Sequence, residues 1–214
     1  MTGLRAGWGG VVALAVVVSL AACSGSGSTS DDATGGSGEP AGGTVQDVRE
    51  PTAPPSDLTP DASAEGDEVS VGGVATIRVP AGAAAEGATD GDEVTFRMPG
   101  ADAQGLPVVQ VAVERAATSG VYEQTWVTEN DKKLNESISD FVRAPVEWPG
   151  SDQSVVITWT EEVALQDGST TSIEGLDLLV TGADGNLVRA SAYAPAGALD
   201  GSSALAVVRS LTLG

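Results

Sequence analysis

The chain has 214 residues, with 30 Asp and Glu against 10 Lys and Arg, one cysteine and no histidine. A formal charge of -20 repels nucleic acid and anionic headgroups, and the lack of histidine excludes Ser-His-Asp and Cys-His catalysis and every histidine-containing zinc site. A lone cysteine cannot close a disulfide within the chain, so the folded part is held by its own core.

The chain opens with Arg5 and an apolar run from Val11 to Leu20, followed by Leu20-Ala21-Ala22-Cys23 and then Ser24-Gly25-Ser26-Gly27-Ser28. A membrane-spanning helix needs about 20 apolar residues, and Val11–Ala22 is too short for that. The pattern resembles the lipobox of bacterial lipoproteins. That resemblance implies that residues 1–22 are a signal peptide and that Cys23 becomes the lipidated first residue of the mature protein. Its diacyl anchor would hold the chain on the extracytoplasmic face of the cell membrane. A lipidated Cys23 is then spent as a nucleophile or metal ligand.

Residues 23–66 are rich in Gly, Ser, Thr, Pro, Ala and acids, and Arg49 is their single base. No apolar run there fills a core, so this stretch reads as a disordered linker with a coil span of about 40 Å. Residues 67–214 have the size of one domain.

Glycine and proline punctuate that domain into short alternating segments, which read as strands. Val74–Val79 would bury Ala75, Ile77 and Val79; Val94–Met98 would bury Val94, Phe96 and Met98. Further strands are expected at Val108–Val113, Val155–Trp159 and Gly175–Val180. Asp184-Gly185 then marks a hairpin to a strand over Leu187–Tyr193.

Two helices are expected. Leu134, Ile138, Phe141 and Val142 fall at i, i+4, i+7 and i+8, an amphipathic stripe. Its start is open, because Thr128–Asp131 offers an N-cap while Tyr122, Trp126 and Val127 allow an extension back towards Ser119. A short closing helix through Ala204–Arg209 would be capped by Asp200 or Ser202. The fold class is therefore α+β.

That order of elements, with Ile77-Arg78-Val79-Pro80-Ala81-Gly82, Val155–Thr160, Asp184-Gly185 and Val207-Val208-Arg209-Ser210-Leu211, resembles the Mog1/PsbP-like domains of the LpqN-type lipoproteins of actinobacteria. Ala83-Ala84-Ala85 stands where that family often has a tryptophan. The resemblance implies a central antiparallel sheet with helices packed on its faces, and a binding or assembly role without chemistry of its own.

Candidate chemistry is sparse. Glu114, Glu147, Glu161 and Glu162 include types a glycosidase needs in pairs, but acids on an acidic domain read first as solvated strand faces. Asp90-Gly91-Asp92-Glu93 carries calcium-type oxygens without the length of an EF-hand loop and reads as a solvated turn. No Gly-rich nucleotide loop is present, so no catalytic set, metal or cofactor is assigned. Among the tryptophans, Trp126 and Trp159 read as core, and Trp148, in Val146-Glu147-Trp148-Pro149-Gly150, reads as projecting from a turn to bind.

The function expected from these features is a non-catalytic binding or adaptor module in the cell envelope, with a protein partner. The alternative is a carrier of a lipid or glycan, for which Phe96, Trp148 or Phe141 would line the pocket.

Overall fold

The structure, a computed structural model, describes residues 49–214 apart from residue 166 and the side chain of Asp184. The signal segment, Cys23 and most of the expected linker lie outside those residues. No helix among the described residues is long and apolar enough to cross a membrane.

The described residues form ten strands and two α-helices. A three-stranded antiparallel sheet contains β1 (Asp67–Val71), β2 (Ala75–Val79) and β10 (Thr212–Leu213), with β2 in the middle. A seven-stranded sheet contains β3 (Ala84–Ala85), β4 (Glu93–Arg97), β5 (Val108–Glu114), β6 (Ile138–Pro145), β7 (Ser154–Ala164), β8 (Thr170–Thr181) and β9 (Leu187–Pro195). Its order is β3-β4-β5-β9-β8-β7-β6 and every pairing is antiparallel. Helix α1 (Val121–Lys133) joins β5 to β6, and α2 (Ser203–Arg209) precedes β10.

The alternating segments form strands where expected, because period-two apolarity buries one face of each. Ala75, Ile77 and Val79 are buried on β2, and Val94, Phe96 and Met98 are buried on and beside β4. The Asp184-Gly185 turn lies between β8 and β9, which pair from Thr181↔Leu187 to Ile173↔Pro195. Gly185 has φ +73°, a value that costs a residue with a Cβ and not a glycine.

Two apolar clusters sit on opposite faces of the large sheet. The larger one contains Val109, Val111, Leu178, Val188 and Ala190 from the sheet, packed with Ile77 and Val79 of β2 and with Leu205 and Val208 of α2. The three-stranded sheet and α2 together close that face. The smaller cluster contains Val155, Ile157, Trp159, Leu179 and Leu187 beneath Val121 of α1, and α1 packs on β6, β7 and β8. The fold is thus α+β with a helix against each face, but a second sheet shares the covering of one of them.

Two expectations are corrected and one alternative is decided. The helical stripe through Leu134, Ile138, Phe141 and Val142 does not exist: α1 ends at Lys133, Leu134 is 84% exposed, and Ile138–Pro145 is strand. The break is local, since the Asn135 carboxamide oxygen accepts from the Ser137 amide (3.1 Å) and hydroxyl (2.8 Å), an Asx turn that competes with helix. The helix instead occupies the backward extension. Glu123 in its first turn and Lys132 and Lys133 in its last match the helix dipole, and Lys133 pairs with Glu129 at 2.6 Å.

Of the two caps offered for the closing helix, Ser202 serves: its hydroxyl accepts from the Leu205 amide at 3.1 Å. Finally, the folded unit includes residues 49–66 and is not confined to 67–214. Residues 49–66 have no helix or strand of appreciable length but are tied down by backbone bonds. The Ser56 amide donates to the Pro145 carbonyl at 2.8 Å, the Asp61 amide donates to the Arg209 carbonyl at 2.6 Å, and Leu58 is buried in the larger cluster. One leucine among prolines and acids gives no periodic signal, yet its burial suffices to seat the segment.

Leu58→Ala therefore costs about 2–3 kcal/mol through lost burial and a residual cavity, read as a lower denaturation midpoint of the 48–214 domain. A domain trimmed to start at Asp67 shows a loss at least as large, whereas a passive linker would leave the midpoint unchanged.

Candidate functional site

Strand parity decides which side chains surround α1. On β7, Trp159 and Glu161 share the face of Val155 and Ile157; on β8, Gly175 and Asp177 share that of Leu179; on β9, Arg189, Ser191 and Tyr193 share that of Leu187. Register aligns them in rows across the sheet. Gly175 stands opposite both Trp159 and Tyr193, and Asp177 stands opposite both Ile157 and Ser191. Val108 and Gln110 of β5 extend those rows, opposite Tyr193 and Ser191.

The row through Gly175 is an aromatic platform. A Cβ at 175 would lie 2.4 Å from Cζ2 of Trp159, so the indole occupies the space that a side chain there would fill. Tyr193 meets the indole edge to face, with ring centroids 5.9 Å apart and planes at 78°. The Lys132 ammonium, from the last turn of α1, lies 3.5 Å from the Trp159 ring centroid, well inside cation–π range. Trp159 is only 4% exposed, and its buried indole N–H has no hydrogen-bond partner.

Charge surrounds this platform. Asp177 is 5% exposed, and its Oδ1 is buried without a hydrogen-bond partner. Burial holds the Lys132 ammonium below the usual lysine range, opposed by the carboxylates of Asp177, Glu161 and Asp131. Burial also pushes the Tyr193 phenol well above its ordinary range, and Asp177 adds to that shift. The cluster thus gathers the Lys132 ammonium, two aromatic rings and a buried carboxylate from four separate elements, with Arg189 of β9 a second cation acting on both Lys132 and Tyr193.

Helix α1 is clamped over it by Arg143, a buried guanidinium on β6. Arg143 donates to Thr125 Oγ1 (2.9 Å), Glu129 Oε2 (3.1 Å) and the Tyr122 carbonyl (3.0 Å) on α1, and to the Arg49 carbonyl. On the same sheet face, beyond the strands on which α1 packs, Thr95, Val108, Gln110, Ala112, Arg189 and Tyr193 are half-buried. The face is therefore covered over β6, β7 and β8 and partly open over β9, β5 and β4.

The residues singled out from sequence fall elsewhere. Trp148 does not project: it is 4% exposed in the larger cluster, and its indole N–H donates to the Leu211 carbonyl at 3.2 Å. The turn at Pro149-Gly150 lies against the end of the chain, where a Cβ at Gly150 would meet Leu213 of β10 at 3.7 Å. Conversely Trp126, expected in the core, is 41% exposed on α1. Trp159 fills the core as expected. Phe96 lies in the larger cluster and Phe141 packs against the smaller one, so the carrier pocket expected around Phe96, Trp148 and Phe141 is filled by packing. Two surface hollows, of about 290 Å3 beside Thr158, Trp159, Glu174 and Gly175 and about 370 Å3 beside Ser70, Gly72 and Thr89, use none of Phe96, Trp148 and Phe141.

The glutamates do not form a set. Glu161 and Glu162 are neighbours on β7 and point to opposite faces, Glu147 is exposed, and Glu114 on β5 accepts from Gln124 Nε2 at 2.8 Å. In the acidic turn, Asp92 receives Arg115 through Nε (3.0 and 3.1 Å) and Nη2 (2.6 Å), and Glu93 accepts from Gln110 at 2.6 Å. No group of three metal-ligating side chains occurs among the described residues. Lys132, Asp177 and Tyr193 carried no motif in the sequence, and only the fold brings them together.

No known family model matches the chain, and no curated protein matches it. Among solved structures it is similar to the solution structure of cyanobacterial PsbP (CyanoP) from Synechocystis sp. PCC 6803. The two are 14% identical with a TM-score of 0.45, and the match covers 71% of this chain and 94% of that one.

Gly175→Ala forces Trp159 off its seat and costs about 1–3 kcal/mol by overpacking, seen as a lower denaturation midpoint with a changed tryptophan emission. The Tyr193 phenol has its pKa raised on folding, so its contribution is complete below its unfolded value near 10.0 and is lost as pH rises beyond it. Lys132, depressed on folding, works with the opposite sign. The clean comparison is thus Tyr193→Phe, which keeps Lys132: between about pH 9 and about pH 11 the wild-type midpoint falls more steeply than that of the variant.

Proposed function

We propose that this chain is a membrane-anchored, extracytoplasmic lipoprotein that works as a non-catalytic binding module in the cell envelope. Its binding surface is the α1-side sheet face where β9, β5 and β4 emerge. The observation that carries this reading is the asymmetry of the sheet. One face is closed by α2 and a second sheet, while the other is covered by α1 over β6, β7 and β8 and shows half-buried Gln110, Ala112, Arg189 and Tyr193 beyond it. A mixed polar and aromatic surface next to a buried, incompletely bonded carboxylate suits recognition of another molecule.

The anchor rests on Leu20-Ala21-Ala22-Cys23, and the acidic surface favours a protein partner over nucleic acid or anionic lipid. A Mog1/PsbP-like, LpqN-type relationship belongs to the same reading and comes from the sequence pattern.

Both halves are testable. Radiolabelled palmitate marks the wild-type protein and partitions it into the membrane fraction, and Cys23→Ser abolishes both. The 48–214 domain captures an envelope protein from detergent extracts, and the paired change Gln110→Arg with Ala112→Glu, on half-buried positions, removes that capture while leaving the melting curve intact. Unchanged capture by the paired variant refutes the assignment of this face, and persistent labelling of Cys23→Ser refutes the anchor.

A further inference from the structure

The contact of Lys132 with Trp159 has the make-up of a ligand complex within one chain. Its floor is the Trp159 indole, fixed over Gly175, where any side chain would clash at 2.4 Å. Tyr193 stands against that ring edge to face at 5.9 Å. Asp177 and Glu161 lie on the same sheet face, two residues along β8 and β7 from the aromatic row and on opposite sides of it, and both favour the charged form of the amine above, against burial, the larger effect, and Arg189, which disfavour it. Asp177 is 95% buried by its 5% exposure and keeps an oxygen without a hydrogen-bond partner. An aromatic floor and wall with carboxylates at the side is what recognises an organic cation.

We propose that Trp159, Tyr193, Asp177 and Glu161 form a cation site that the chain's own Lys132 fills, and that the site takes a primary alkylammonium, such as the end of a lysine side chain, when Lys132 is withdrawn. Lys132 is suited to leave. It sits in the last turn of α1, its side chain is half-buried, and the residue that follows the helix, Leu134, is 84% exposed. The inference deepens the reading of the α1-side face as the binding surface and depends on it only for the source of the amine. Presented by a partner, the amine would be a lysine of that partner; in solution it is any small alkylammonium.

The probe is n-butylammonium chloride added to the isotopically labelled 48–214 domain carrying Lys132→Ala, with the Trp159 indole N–H followed by NMR. A tethered contact made untethered binds weakly, so half-saturation is expected at about 10–100 mM. The shift saturates in Lys132→Ala, is at least tenfold weaker in wild type, where the resident ammonium competes, and disappears in Lys132→Ala with Asp177→Asn. Sodium chloride at equal ionic strength and n-butanol at equal concentration give no saturable shift. Butanol acting as well as butylammonium shows an apolar hollow and overturns the proposal, as does the absence of a saturable shift in Lys132→Ala. Should Asp177→Asn unfold the domain, Trp159→Phe with Lys132→Ala, followed on the Tyr193 ring signals, supplies the same comparison with a weaker aromatic floor. The envelope capture can fail while this titration succeeds, and the reverse, so the two readings are separable.

Discussion

The arrangement depends on Arg143. Its guanidinium, buried between the edge strand and α1, donates to two side chains and a carbonyl of the helix and to the backbone of Arg49. Buried ion pairs add little net stability against well-packed apolar substitutes, but an unpaired buried charge costs several kcal/mol. Arg143 consequently selects one placement of α1 among those an otherwise polar helix would accept. That placement covers β6, β7 and β8, brings Lys132 over Trp159, and draws the segment around Arg49 onto the domain.

The consequences are distributed unequally over the sheet. The face toward β2 and α2 is a continuous apolar core in which valine and alanine dominate, and it stabilises the domain in the ordinary way by removing apolar surface from water. The α1 face mixes a small apolar cluster with a buried acid, two aromatic rings and unpartnered polar atoms. Such groups cost free energy to bury, and a domain with one well-built core can carry them. Stability resides on one side and the candidate for recognition on the other.

Much of the strand pattern in both sheets was legible from residue alternation, because Ala75, Ile77 and Val79 in the small sheet and Val94 and Phe96 in the large one have period two and nothing competes with it. Helix α2 was legible from its serine cap. The edge strand was not, since Ile138, Phe141 and Val142 straddle a bulge between Ser139 and Val142 that turns a strand pattern into apparent helical spacing. Residues 49–66 were read as linker because a single buried leucine has no period. A Trp-Pro-Gly turn looks solvent-facing in sequence, whereas Trp148 is buried in the larger cluster and bonded to the Leu211 carbonyl from the far end of the chain. The Lys132 cluster was invisible for the same reason: α1, β7, β8 and β9 contribute one or two ordinary residues each.

We propose that the open part of the α1 face meets a partner in the envelope. A photo-crosslinking amino acid placed at Gln110 of the full-length chain in living cells tests it most directly, with Asp152, an exposed residue in the loop between β6 and β7, as the comparison position. One discrete crosslinked protein is expected from Gln110 that is absent from Asp152. Crosslinking from Asp152 alone, or identical products from both positions, contradicts it.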